Sequence, residues 1–224
     1  MIIGISGRIG SGKDTVGTII QGLLLTNKNQ SSEIKKFAGK LKQIASILTG
    51  ISVEKFEDQE FKKNYLDAEW GTVQDIPLNS IPPFADMQFN VMMTVREFLQ
   101  KLGTEAMREG LHTNVWGNAL FADYKAKWVP TGDTIEEDEV SLEKEYPNWI
   151  ITDMRFPNEM EAVEKRHGIT IRVTRPDFLS FDAMLHPSET ALDDAKFDYE
   201  IINDGTMEEL VKKVREILVN EELI

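Results

Sequence analysis

The stretch Gly7-Arg8-Ile9-Gly10-Ser11-Gly12-Lys13-Asp14-Thr15 constrains the fold of this chain more than any other. It follows directly on the apolar run Ile2-Ile3-Gly4-Ile5-Ser6. It precedes Val16-Gly17-Thr18-Ile19-Ile20 and Leu23-Leu24-Leu25, an apolar stretch of helical length. A buried strand, a glycine-rich turn and a helix start, in that order, are what a phosphate-binding loop requires. Gly7, Gly10 and Gly12 allow the backbone to curl with its N–H groups turned inward, and the helix N-terminus adds partial positive charge. Lys13 then reaches the β- and γ-phosphates of a bound nucleotide. Ser or Thr normally follows this lysine and ligates Mg²⁺ through its hydroxyl, but here Asp14 stands there, followed by Thr15. A carboxylate is also a hard oxygen ligand. Asp14 can hold Mg²⁺ directly or through water, or it can cap the helix with Thr15 near the metal, and the residues alone leave both open.

A chain of 224 residues suffices for one well-buried α/β domain with a small lid and is too short for two large ones. It contains no cysteine, which excludes a disulfide framework and thiolate chemistry and fits a reducing cytosol. The longest apolar runs fall far below the roughly 18 residues of a membrane span, and no basic-then-apolar leader opens the chain. The expectation is a cytoplasmic protein without a membrane partner. The net charge of −13 disfavours long nucleic acid as a partner, because such binders carry a basic footprint. A small phosphorylated ligand needs only a local basic pocket.

Strand and helix signals alternate, which argues for a parallel sheet covered on both faces. Residues 33–38 read as a second strand, and Leu41, Ile44, Ala45, Ile47 and Leu48 recur at helical spacing up to Gly50. Residues 53–68 read as a short polar helical or loop segment anchored by Phe56 and Phe61. Residues 71–90, with Pro77, Pro82 and Pro83, read as an irregular excursion. Thr94 and Glu97 form a capping-box pattern ahead of an amphipathic helix, which Gly103-Thr104 is expected to break. Helical spacing resumes from Trp116 to Tyr124. The acidic stretch 130–148 reads as a solvated loop or exposed hairpin. Trp149–Thr152 ending in Asp153, Ile169–Thr174 and Tyr199–Ile202 read as buried strands, and a terminal helix carries Met207, Leu210, Val211, Val214 and Leu218.

Asp153 follows an apolar strand, where enzymes with such a loop place a carboxylate that orients Mg²⁺. Its structural alternative is a helix cap, with Arg155 and Glu159 as a surface pair. Parallel strands deliver their C-terminal ends to one crevice, which favours a site. Lys42, Lys63 and Arg96 stand where a second phosphate can sit, although each alone reads as an ordinary solvated cation. Trp116 either stacks on a base or fills the core. Arg172 and Arg175 flank a strand end suited to a nucleotide-binding arginine. His112, His167 and His186 lie on no metal-ligand spacing, and His186-Pro187-Ser188-Glu189 is a candidate turn network beside the site.

The chain resembles the bacteriophage-type deoxynucleoside monophosphate kinases, a branch of the P-loop nucleoside monophosphate kinase superfamily. The resemblance rests on GRIGSGKDT at 7–15, FAGKLK at 37–42, FEDQEFKK at 56–63, VREFLQKLGTE at 95–105 and VWGNALFADY at 115–124. It continues through DMRFPNEMEA at 153–162, VTRP at 173–176, HPSET at 186–190 and NDGTMEEL at 203–210. It implies a three-layer α/β fold of the P-loop NTPase type, a parallel sheet flanked by helices with small insertions for substrate binding and a lid. It implies one kinase domain over 1–224, with a substrate-binding excursion at about 53–93 and an acidic exposed insertion at about 129–148.

By the same resemblance the reaction is ATP-dependent phosphorylation of deoxynucleoside 5′-monophosphates, with ATP and Mg²⁺ as cofactors and small-molecule substrates as the partners. A homodimer is left open, and the location is cytoplasmic, a host cytoplasm if the gene is a phage's. Gly7, Gly10, Ser11, Gly12, Lys13, Asp14, Thr15 and Arg175 are implied to bind ATP, with Asp14, Thr15 and Asp153 toward the metal. Lys42, Lys63, Arg96, Gly103, Thr104, Trp116, Asp153, Arg155 and Glu159 are implied to meet the acceptor, with Lys13, Arg96 and Arg155 catalytic. Against the family pattern, Ile9 replaces a basic residue, Glu97 replaces a second arginine, and Lys63 stands where an arginine can occur. Segment 56–90 is a candidate moving part. The rival readings are a P-loop kinase of another acceptor (dephospho-coenzyme A or phosphomevalonate type) and a non-catalytic nucleotide binder. A GTPase would need an Asn-Lys-x-Asp motif late in the chain, and the only Asn-Lys, Asn27-Lys28, is early.

Overall fold

Every residue of β1 (Ile2–Ser6) is buried, and burial on both faces marks an interior strand of a parallel sheet. A computed structural model describes residues 1–75, 88–130, 142–176 and 190–224 of the chain. They form two units, residues 1–39 with 116–224, and residues 40–115. The first unit is built on five parallel strands, β1, β2 (Glu33–Lys35), β7 (Trp149–Met154), β8 (Ile169–Thr174) and β9 (Tyr199–Ile202). Their order is β2-β7-β1-β8-β9. The chain lays β7 on one side of β1 and β8 on the other, so the end of β1 is the point where connections diverge and a ligand crevice opens.

Helix α1 (Lys13–Lys28) buries Val16, Ile20, Leu23 and Leu24, one stripe at helical spacing. That stripe packs with Ile3, Ile5, Ile150, Ile171, Val173 and Ile201 of the sheet. Leu210, Val214, Ile217 and Leu218 of α6 (Met207–Asn220) complete the cluster. A Cβ on Gly17 would lie 2.5 Å from Thr152 Cγ2, so the missing side chain is what lets α1 press against β7. The opposite face is covered by α5 (Pro157–Glu164), whose Val163 meets Gly4 of β1. It is also covered by α4 (Val115–Phe121), whose Phe121 stacks on Trp149 at 6.1 Å. Helices on both faces of a parallel sheet make the three-layer α/β architecture expected from the alternating pattern.

The second unit has its own core of Ala45, Phe56, Leu66, Val95 and Phe98. Phe56 is fully buried and Phe61 packs on the cluster, as anchors of an otherwise polar segment. α2 (Ala38–Thr49) carries Ala45, and α3 (Val95–Gln100) carries Val95 and Phe98. Thr94 and Glu97 form the capping box read from the sequence. Glu97 is thereby engaged at a helix start.

Several sequence expectations change, the first being the strand read over 33–38, which ends at Lys35 with α2 starting at Ala38. The helix does not break at Gly103-Thr104 but runs on as a π-helical stretch over Lys101–Glu109. Gly103 is buried there against Leu41, so packing outweighs the glycine's low helix propensity. The excursion at 71–90 is not irregular at its ends, since β3 (Thr72–Asp75) and β4 (Gln88–Val91) pair antiparallel. Its three prolines fall in residues 76–87, outside the described residues. β5 (Lys127–Pro130) and β6 (Leu142–Glu145) likewise pair antiparallel, the exposed-hairpin alternative for the acidic stretch. No helix among the described residues is long and apolar enough to cross a membrane.

Candidate active site

The loop between β1 and α1 is built from its own backbone. Ser11 N donates to Arg8 O at 3.1 Å, and Lys13 Nζ donates to the same carbonyl at 3.2 Å. Gly10 and Gly12 hold φ of 77° and 99°, values that carry a steric cost for any side chain. Asn203, in the turn after β9, donates from Nδ2 to Ser11 O at 2.9 Å and fixes the outer side of the loop. Lys13 is buried and the loop surrounds it. The Ser11 hydroxyl is buried without a hydrogen-bond partner, a donor held ready inside the turn. A ring of amides, a lysine and a free hydroxyl at a helix N-terminus can bind a phosphate chain.

Asp14 sits in the first turn of α1 with its side chain largely exposed. Its Oδ1 accepts from Thr152 Oγ1 at 2.8 Å and lies 3.5 Å from Lys36 Nζ. Burial pushes its carboxyl up, but the Thr152 hydroxyl, Lys36 and Lys13 together outweigh that and hold it below the usual range. Asp14 is therefore an anion at neutral pH. Thr15 follows it in the same turn, half-buried. Among the described residues no three acidic or histidine side chains gather around a common point. Mg²⁺ bound through substrate phosphates asks for only one or two carboxylates, and Asp14 meets that requirement.

Asp153 and Glu159 are both engaged by backbone. The Asp153 oxygens accept from Phe37 N at 2.7 Å and Ala38 N at 2.9 Å, which caps the start of α2. Glu159 is buried, and its Oε2 accepts from Arg155 N at 2.8 Å and Phe156 N at 3.2 Å, reaching back to the backbone at the start of α5. The cap foreseen for Asp153 belongs to a helix more than a hundred residues earlier, not to the one that follows. Arg155 is half-buried beside that cap, and Trp116 is buried at the start of α4.

Arg175 lines a cavity of about 420 Å³ next to the loop, together with Arg8, Ser11 and Arg172. The remaining implied residues, Lys42, Lys63, Arg96, Gly103 and Thr104, belong to the second unit. There the three cations meet one turn. Lys42 Nζ lies 2.5 Å from Glu57 Oε1, Lys63 Nζ 2.8 Å from Glu60 Oε1, and Arg96 donates to Gln59 Oε1 at 3.2 Å. Lys42 is buried in doing so. Gly103 is buried and Thr104 half-buried on the π-helical stretch. His186 and its turn lie outside the described residues.

Thr152, Lys36 and Asp193 are absent from the residues singled out in the sequence, and Asn203 stands there only as the first residue of NDGTMEEL, with no role at the loop. Each acts through a partner distant in the chain, which the sequence alone does not bring near.

A parallel sheet whose central strand hands a glycine-rich turn and a buried lysine to a helix N-terminus defines the P-loop class, here of the kinase type. Residues 52–214 match the family model described as deoxynucleotide monophosphate kinase, and the chain belongs to that family. It is similar to a deoxynucleoside-5′-monophosphate kinase of Escherichia phage T5, 23% identical over 91% of this chain and 89% of the relative. A relative from Acanthamoeba polyphaga mimivirus is 25% identical over 96% of this chain and 94% of its own length. The deoxynucleotide monophosphate kinase of Enterobacteria phage T4 is 29% identical over 56% of this chain and 45% of its own. The chain is thus a phosphotransferase that uses ATP and acts on small molecules.

Proposed function

We propose that the protein transfers the γ-phosphoryl group of ATP in line to the phosphate of a deoxynucleoside 5′-monophosphate. The bond from γ-phosphorus to the β-bridging oxygen breaks as one to an acceptor phosphate oxygen forms, giving ADP and a deoxynucleoside diphosphate. The observation that carries this reading is the loop at Gly7–Thr15, with its buried lysine and unpartnered Ser11 hydroxyl, in a chain of this family. The acceptor phosphate has a second pKa of about 6 and is already a dianion at neutral pH, so no general base is needed. The difficulty is electrostatic, since two polyanions must approach and the charge between them must be stabilised.

Lys13 stabilises that charge from the donor side, with the loop at Gly7, Gly10 and Gly12 and the Ser11 hydroxyl fixing the phosphates. Asp14 with Thr15 would hold Mg²⁺, which would supply positive charge toward the donor phosphates, Asp153 standing behind through its cap on α2. Lys42, Lys63 and Arg96 take the acceptor phosphate, exchanging the carboxylates and amide of Glu57–Glu60 for it. Arg155 and Arg96 are assigned the transferring group. Gly103, Thr104, Trp116 and Glu159 shape the acceptor end, and Arg175 the donor end. The acidic surface fits a cytoplasmic enzyme of nucleotides rather than a binder of nucleic acid polymers.

The test is ADP release from ATP–Mg²⁺ with dAMP, dGMP, dCMP, dTMP and their ribose counterparts. At least one deoxynucleotide should turn over, and Lys13→Ala should lower kcat by about 10²–10³. Turnover of dephospho-coenzyme A or phosphomevalonate without any deoxynucleotide would overturn the assignment, as would undiminished activity in Lys13→Ala.

A further inference from the structure

One carboxylate outside every motif joins two arginines beside the loop. Asp193 Oδ2 accepts from Arg8 Nη2 at 2.6 Å, and its Oδ1 accepts from Arg172 Nη2 at 2.5 Å. Arg8 is the second residue of the loop, and its carbonyl is already held by Ser11 N and Lys13 Nζ. Both ends of Arg8 are thus fixed, the backbone by the loop and the side chain by Asp193. Arg172 comes from β8, where its Nη1 also donates to Ser6 Oγ at 3.1 Å and its guanidinium stands 5.7 Å from the Phe197 ring. The three side chains are only partly exposed, Arg172 at 15%. All three line the cavity of about 420 Å³ that runs alongside the loop.

We propose that Asp193 is a positioning residue for the phosphoryl donor, holding Arg8 and Arg172 side by side so that their remaining N–H groups face the nucleotide. Two guanidinium groups this close repel each other, and without an anion between them they spread apart. One carboxylate oxygen for each arginine removes that repulsion and leaves a net positive charge at the cavity wall. A guanidinium is a planar fork of five donors, so fixing one N–H fixes the direction of the others. Ordering the arginines before the ligand arrives lowers the entropy lost on binding. The inference rests on the kinase reading, since it supposes that the donor nucleotide lies along this wall of the loop.

The experiment measures ATP–Mg²⁺ binding to the whole protein by calorimetry, without acceptor, alongside steady-state kinetics. Asp193→Asn keeps the shape and loses the charge, while Asp193→Glu keeps the charge. Asp193→Asn should raise the ATP dissociation constant and the ATP KM about tenfold, with kcat and the acceptor KM within about twofold. Asp193→Glu should recover part of the loss. Arg8→Ala should weaken ATP binding as well, and adding Asp193→Asn to it should cost little more, because the two act as one unit. Unchanged ATP affinity in Asp193→Asn overturns the proposal while the wild type still binds ATP. So does a fall confined to kcat, or full additivity with Arg8→Ala. A wild-type protein that binds no ATP overturns the kinase reading together with this one.

Discussion

Gly12 and Asn203 meet at the back of the loop, where an added Cβ would stand 2.5 Å from Asn203 Nδ2 at a φ of 99°. Gly12→Ala therefore combines backbone strain with displacement of the side chain that buttresses Ser11. The expected outcome is a loss of about 1–3 kcal/mol of stability, read in urea, with weaker ATP binding in titration. Asp14 allows a pH prediction. Its carboxyl lies below the ordinary value of 3.8, so it contributes stability above that pH and loses it as pH falls through the lower folded value. Thr152→Val removes the hydroxyl that helps hold it there. The variant should be less stable than wild type by about 1 kcal/mol or less at neutral pH, the side chain being solvent-screened. Denaturation curves should show that gap closing below the ordinary carboxylate range. The loop itself was legible because its residues are contiguous. Thr152, Asn203 and Asp193 were not, because their partners lie 138, 192 and 185 residues away and only the folded sheet brings them together.

Helix α3 and the π-helical stretch after it show what an element's own sequence can and cannot say. The capping box was readable because Thr94 and Glu97 serve each other within one turn. Thr94→Ala should cost about 1 kcal/mol in a chemical denaturation series. The continuation through Gly103 was not readable, since glycine argues locally for a break and Leu41 decides otherwise. An added methyl at Gly103 would lie 2.9 Å from Leu41 Cδ2. Gly103→Ala should accordingly leave stability within about 1 kcal/mol of wild type, the gain in helix propensity offsetting a small shift of the Leu41 side-chain end. Leu41→Ala in the same chain should cost less with Gly103→Ala present than alone, as a double-mutant cycle would reveal. The paired ends of the 71–90 excursion were hidden for a similar reason. β3 and β4 are four residues each, and pairing across an intervening segment leaves no period to count.

At the scale of the molecule, the alternation of strands and helices foretold the parallel sheet, while the order β2-β7-β1-β8-β9 is a property of the folded chain alone. The implied donor residues lie in the first unit, while those for the acceptor fall in both, Trp116, Asp153, Arg155 and Glu159 in the first and Lys42, Lys63, Arg96, Gly103 and Thr104 in the second. Hydrogen exchange should reflect that division. A non-hydrolysable ATP analogue should protect amides of residues 7–20, and a deoxynucleoside monophosphate those of residues 40–63 and 94–109. Protection of the second unit by the analogue alone would contradict the assignment. The central position of β1 has one more consequence, for biosynthesis. The strand that carries the loop is translated well ahead of both strands that flank it, which begin only at Trp149 and Ile169. Residues 40–115, with a core of their own, are complete long before that. On the ribosome the nucleotide cradle is thus made long before its neighbours let it take shape, and a nascent chain arrested ahead of β8 should retain no grip on ATP.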